Sequence, residues 1–211
     1  MNLRKCARLS RKPETRTWFR ATELAFLETS LSSAHTPDRR SRFSGGPSAD
    51  SPFEVLYLAP TTMVAQFEIG SILGSPFDPN LQVSHPSLTT VNINVKVTLQ
   101  AVADLTSISE QELIGTNAQE LTGDWDSYYR RTNHSQVPQP RGLSPTQQPG
   151  QALFAVDGLE GFLTLSAKVP VAQNLVVFPT KLLPGSELIF EYAERNLSQT
   201  ISGPRRRPRR R

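Results

Sequence analysis

Between Val91 and Gln100 apolar and polar residues alternate without a break. Val91, Ile93, Val95, Val97 and Leu99 fall on one face, and Asn92, Asn94, Lys96, Thr98 and Gln100 on the other. A period of two with one wet face predicts a strand that covers a core. Upstream, Glu54 to Ala59 (EVLYLA) is a short apolar run that predicts a buried strand, and Pro60 suits the first turn of a helix after it. Within that helix Val64, Glu68 and Ile72 stand four apart on one stripe beside Ala65. A carboxylate therefore sits among apolar neighbours.

Ser109 to Glu112 has capping-box spacing and predicts a short helix. Gln151 to Asp157 predicts another, which Gly158 would end. Three apolar runs bounded by turn residues, GFLTLS from Gly161, NLVVFP from Asn174 and ELIFEY from Glu187, read as strands. Residues 30–52 and the proline-rich 135–149 read as loops. Runs of strands without regular βα alternation predict an α+β domain with a mainly antiparallel sheet.

The length of 211 residues suits one domain with its own core. The first apolar segment, TWFRATELAFL, opens the folded region near Thr17. The expected limits are a basic, flexible segment over 1–16, a domain over 17–195 and a disordered Arg-rich tail over 196–211. Charge follows this division. The net +4 includes seven Lys/Arg in residues 1–20 and six Arg in RRRPRRR at 205–211, which leaves ten basic against eighteen acidic residues in between. An acidic body does not suit direct nucleic-acid binding, whereas the tail offers salt-sensitive phosphate contacts as a separate reading.

The single cysteine, Cys6, has no partner for an internal disulfide, and a reducing cytoplasm is the expected location. No apolar run approaches the roughly 20 residues a membrane span needs. The basic start lacks an apolar stretch behind it, which disfavours a secretory signal, and a transit peptide is the lesser reading. His35, His85 and His134 stand at no ligand spacing, so no metal site is expected. No G-x-S-x-G elbow, Walker loop or G-x-G-x-x-G fingerprint occurs.

What remains is a set of polar residues attached to apolar segments: Arg20 in WFR, Arg42 in RFSG, Tyr57 in VLYLA, Glu68 in AQFE eleven residues later, and Ser166 in EGFLTLSA. With LTGDW at 121–125, TQ at 146–147 and NLVVF at 174–178, this series resembles the RES-domain family over about residues 17–192. Two positions depart from the family's commoner pattern. Phe43-Ser44 stands for Trp-Asn, and Lys168 follows Ala167 where Arg is usual, which keeps a charge but loses a bidentate fork.

The resemblance implies an ADP-ribosyltransferase-like fold and a toxin that degrades NAD by cleaving its nicotinamide–ribose bond, with water or phosphate as acceptor. NAD is then the substrate, and no cofactor is implied. Glu68 would face the positive charge that develops on the ribose, Arg42 and Arg20 the pyrophosphate, and Tyr57 the nicotinamide or ribose face. Ser166 would donate a hydrogen bond to the nucleotide and Asn174 hold the loop geometry. Each residue also has an ordinary structural reading: surface ion pairs for the arginines, a core tyrosine, a solvated helix carboxylate, a strand-start cap. The family further implies an Xre-like antitoxin as partner, and leaves self-association into a homo-oligomer open. An inactive RES-type binding module and a transferase that places ADP-ribose on a macromolecule are the alternative functions.

Overall fold

The alternating segment becomes the longest strand and organises everything else. In this computed structural model, residues 1–129 and 142–205 are described. The strands are β1 (Arg11–Glu23), β2 (Leu56–Leu58), β3 (Ile72–Gly74), β4 (Gln82–Ser84), β5 (Thr90–Asp104), β6 (Gly161–Leu165), β7 (Gln173–Val177), β8 (Glu187–Tyr192) and β9 (Leu197–Ser202). The helices are α1 (Thr62–Glu68), α2 (Ile108–Ile114), α3 (Ala118–Thr122), α4 (Trp125–Tyr129) and α5 (Gln147–Phe154).

One edge of β5 pairs antiparallel with β1, from Arg11 opposite Ala103 to Glu23 opposite Thr90. Its other edge is shared. Residues Val95 to Thr98 pair antiparallel with β8, and Val102 to Asp104 pair parallel with β6. At the handover the amides of Gln100 and Ala101 donate to one oxygen of Glu160, at 2.6 and 2.8 Å, and Leu183 N–H donates to the other at 2.8 Å. Glu160 is fully buried. Its carboxylate thus satisfies amides that lose a ladder partner, and three donors offset the cost of burying it.

The order β2-β7-β6-β5-β8-β9 completes the main sheet, and β3 and β4 form a separate hairpin. Phe19 and Ala59 exchange two backbone hydrogen bonds, at 2.8 and 2.7 Å, so β1 meets the end of β2 and the sheet curls. One face carries Trp18, Leu56, Val95, Leu175 and Leu188. The other buries Phe43, Phe162 and Phe178 beside residues of α2 and α5. This is an α+β architecture with a mainly antiparallel sheet.

Several expectations about limits change. Residues 1–16 are not a free segment: Cys6 and Leu9 are buried in the core, and β1 begins at Arg11, with a register shift at Pro13, which has no amide to give. Residues 197–202 extend the sheet as β9 instead of joining the tail. Helix α1 stops at Glu68, because Gly70 takes a positive φ of 73° and turns the chain, so Ile72 belongs to β3. Helix α2 has Ser107, not Ser109, at its N-cap position, with no side-chain capping hydrogen bond. Helix α5 starts at Gln147 and not Gln151, since Pro149 is tolerated in a first turn. The expectations for His134, for residues 135–141 and for the arginines from 206 onward lie outside the described residues. Among the described residues no helix is long and apolar enough to cross a membrane.

Candidate functional site

The curl leaves a cavity of about 460 Å³ between β1, β2, α1 and the turn at 122–125, within the size range of small-molecule sites. Glu68 reaches it as the last residue of α1. Thr61 caps the other end of this helix by accepting Val64 N–H at 3.2 Å, which fixes where its last turn falls. Oε1 of Glu68 accepts from Ser166 Oγ at 2.5 Å and from Asn174 Nδ2 at 2.6 Å. Ser166 Oγ itself accepts from the amides of Lys168 and Val169, at 3.1 and 2.9 Å. Those two donors leave its single proton to the carboxylate, so the orientation is determined. Oε2 of Glu68 accepts no hydrogen bond from the described residues and is available to a ligand.

Arg42 is a buried residue of the same lining. Its Nε donates to Leu121 O at 2.9 Å, and its Nη2 to Leu165 O at 2.7 Å and to Leu121 O. Burial holds this guanidinium below its ordinary pKa, and the charges of Glu68 and Tyr57 partly restore it. The loop bearing it is clasped by Gln147 Nε2, which donates to Ser41 O at 2.8 Å and Ser44 O at 3.1 Å. Tyr57 belongs to the same clasp. Its hydroxyl accepts from Phe43 N–H at 3.0 Å and shares a 2.8 Å hydrogen bond with Ser41 Oγ. Burial raises its pKa, with smaller opposing effects from these hydrogen bonds.

Arg20, on β1, differs from Arg42. Its Nε is buried without a hydrogen-bond partner among the described residues, and burial alone pushes its pKa down to about 10. It still carries a proton at neutral pH. Neither arginine nor Glu68 takes part in an ion pair among the described residues, where the only two, Arg16–Glu14 and Lys96–Glu191, lie elsewhere. Two arginines and one carboxylate thus face one space without an ion pair among the described residues, which makes the cavity a candidate functional site.

The structure brings Arg20, Arg42, Tyr57, Glu68 and Asn174 onto one cavity wall or another, with Lys168 exposed at the rim. Ser166 is the exception. It is not part of the lining, and its hydroxyl proton goes to Glu68 Oε1, so it touches the cavity through that carboxylate. Asn174, expected to hold loop geometry, likewise grips the carboxylate. Sequence reasoning did not single out Ser41 or Thr164, and the roles of Leu121 and Leu165 are played by carbonyls that any residue supplies. The segments TQ and LTGDW did signal the region: Gln147 holds the Arg42 loop, while Gly123 to Trp125 line the cavity.

A family model described as RES domain matches residues 17–191. Among solved structures, the fold is similar to that of a chain in the crystal structure of the M. tuberculosis MbcT-MbcA toxin-antitoxin complex. The TM-score is 0.61 at 18% identity, over 95% of this chain and 91% of that one. That likeness establishes the fold. No curated protein sequence matches the chain.

Proposed function

The chain belongs to the RES-domain family, and we propose that it is an NAD-degrading toxin that breaks the nicotinamide–ribose bond. The observation that carries this reading is Glu68, a carboxylate pinned through one oxygen by Ser166 and Asn174 with the other oxygen open to a cavity of nucleotide-compatible size. In the reaction the bond between the ribose C1′ and the ring nitrogen breaks, and its electron pair leaves with nicotinamide. Positive charge then develops on the ribose, and a fixed carboxylate stabilises it without having to reorganise. A water or phosphate oxygen adds to C1′, and Glu68 accepts the proton lost from water. NAD is the substrate, and no cofactor enters.

The arginines divide the remaining work. Arg20 has donors without partners and is the group for the pyrophosphate. Arg42, already bonded to two carbonyls, acts as a fixed positive charge beside Tyr57, whose anchored ring offers a stacking face. An enzyme that destroys NAD must be restrained in its own cell. The similar fold in M. tuberculosis was solved in a toxin-antitoxin complex, and we extend that arrangement here to an Xre-like antitoxin covering the cavity in the cytoplasm.

The test is purified protein incubated with NAD, with Glu68→Gln as control. Wild type is expected to release nicotinamide and the variant to lose at least about a hundredfold in rate. Intact NAD in the presence of correctly folded wild type overturns the proposal. Labelled ADP-ribose recovered on a macromolecule instead of in free form shifts it to the transferase alternative.

A further inference from the structure

Native proteins leave few buried polar atoms without a partner, and each one asks for an explanation. Among the described residues five side-chain atoms are in this condition: Arg20 Nε, Gln151 Oε1, Thr164 Oγ1, Asn174 Oδ1 and Ser186 Oγ. Three of the five belong to residues that line the one cavity holding Glu68. The concentration argues for a ligand that supplies the missing partners. Arg20 is the group for the pyrophosphate on the proposed reading; Thr164 Oγ1 and Asn174 Oδ1 remain without a partner.

These two residues stand directly opposite each other across β6 and β7, so their side chains share one face of the sheet at neighbouring distance. Thr164 is fully buried and Asn174 nearly so. The amide orientation of Asn174 is fixed by chemistry: only its NH2 can face the carboxylate of Glu68, so Oδ1 is an acceptor and nothing else. Thr164 Oγ1 can supply the complementary donor. One acceptor and one donor, side by side and next to the catalytic carboxylate, match the N–H and C=O of a planar primary amide.

We propose that Thr164 Oγ1 and Asn174 Oδ1 together read the carboxamide of the substrate's leaving base. This rests on NAD being the substrate. The other parts of the dinucleotide fit the pair less well. An acceptor-only oxygen beside Glu68 repels phosphate, and the ribose hydroxyls have a stronger acceptor in the open oxygen of Glu68. Alanines 65 and 167 and Ile69 in the same lining suit a flat heteroaromatic ring. The pair then discriminates nicotinamide from nicotinate, which lacks the N–H and carries a charge, by the unpaired groups a wrong ligand leaves behind.

Thr164→Val keeps the shape and removes the hydroxyl, and Thr164→Ser keeps the hydroxyl. Binding of nicotinamide, nicotinate and 3-acetylpyridine to wild type and both variants is measured by calorimetry, alongside melting temperatures. Wild type is expected to prefer nicotinamide over nicotinate by about tenfold or more, and Thr164→Val to lose about tenfold of nicotinamide affinity. Thr164→Ser should recover most of that affinity. Because the lost hydroxyl has no partner in the free protein, Thr164→Val should melt no lower than wild type. Equal binding of amide and acid by wild type, unchanged nicotinamide affinity in Thr164→Val, or a clearly lowered melting temperature each overturns the assignment. Product binding needs no turnover, so these outcomes are independent of whether NAD is cleaved. Nicotinamide bound as described by a protein that leaves NAD intact would overturn the enzymatic reading and with it the leaving-base role of the pair, whereas equal binding of amide and acid by a protein that cleaves NAD would overturn this assignment alone.

Discussion

Ser166 donates its hydroxyl to Oε1 of Glu68 over 2.5 Å, across 98 residues of chain. On the proposed reading the serine is a positioning residue, whose effect on the nucleotide passes through the carboxylate.

A serine that touched the substrate would, when removed, raise KM. One that aims the carboxylate should instead lower kcat. Ser166→Ala is expected to reduce kcat for NAD by about tenfold or more with KM nearly unchanged, because a misplaced acid weakens interactions that matter in the transition state. It also strands the amides of Lys168 and Val169, at a cost of about 1–3 kcal/mol in denaturant unfolding. A rise in KM at constant kcat would restore the direct contact.

Arg20 yields a prediction in which stability and binding move in opposite directions. Its pKa is lowered by burial, so the folded state holds this proton less tightly than the unfolded chain. Between about 10 and the ordinary arginine range the unfolded state binds more protons, and this residue's contribution to stability therefore rises with pH; below about 10 the penalty of the buried charge is fully present. Arg20→Leu removes that penalty and is expected to raise the melting temperature at pH 7, while KM for NAD rises about tenfold or more. In the wild type NAD binding should weaken as pH passes about 10, and a dinucleotide titration up to pH 11 checks the sign.

The sequence announces what depends on local pattern and hides what depends on closure. Val91 to Leu99 are legible because one strand face is wet, and the same alternation survives in β5. The start of β1 is not, since Arg11 to Thr17 are mostly exposed polar residues held by ladder hydrogen bonds to β5, which leave no hydrophobic trace. Glu68 attracts notice as a carboxylate on an apolar stripe, yet the stripe itself misleads, because Gly70 ends the helix before Ile72 can join it. Arg42 is visible as a charged residue in a loop, but its carbonyl partners on Leu121 and Leu165 come from backbone that no side-chain pattern marks. Only the curl of the sheet brings these segments together.

That curl places α5 hard against the loop carrying Arg42, and Gly150 is the point of closest approach. A Cβ built there would stand 1.9 Å from Phe43 O and 2.8 Å from Phe43 C. The obstacle is backbone, so no rotamer change relieves it. The neighbouring Ser41 and Ser44 carbonyls are tied to Gln147 in the same helix, and Tyr57 holds the Phe43 amide, so the loop cannot retreat without breaking those bonds. Gly150→Ala is therefore expected to destabilise the protein by about 1–3 kcal/mol despite the higher helix propensity of alanine. The strain should also reach the site, because Arg42 precedes Phe43 and is held by carbonyls that do not move with α5. The variant should lose both unfolding free energy in urea and NAD turnover, while Gln148→Ala, on the same helix but away from Phe43, should keep turnover near wild type. Equal stability of Gly150→Ala and wild type would show that helix and loop are less tightly opposed than this contact requires.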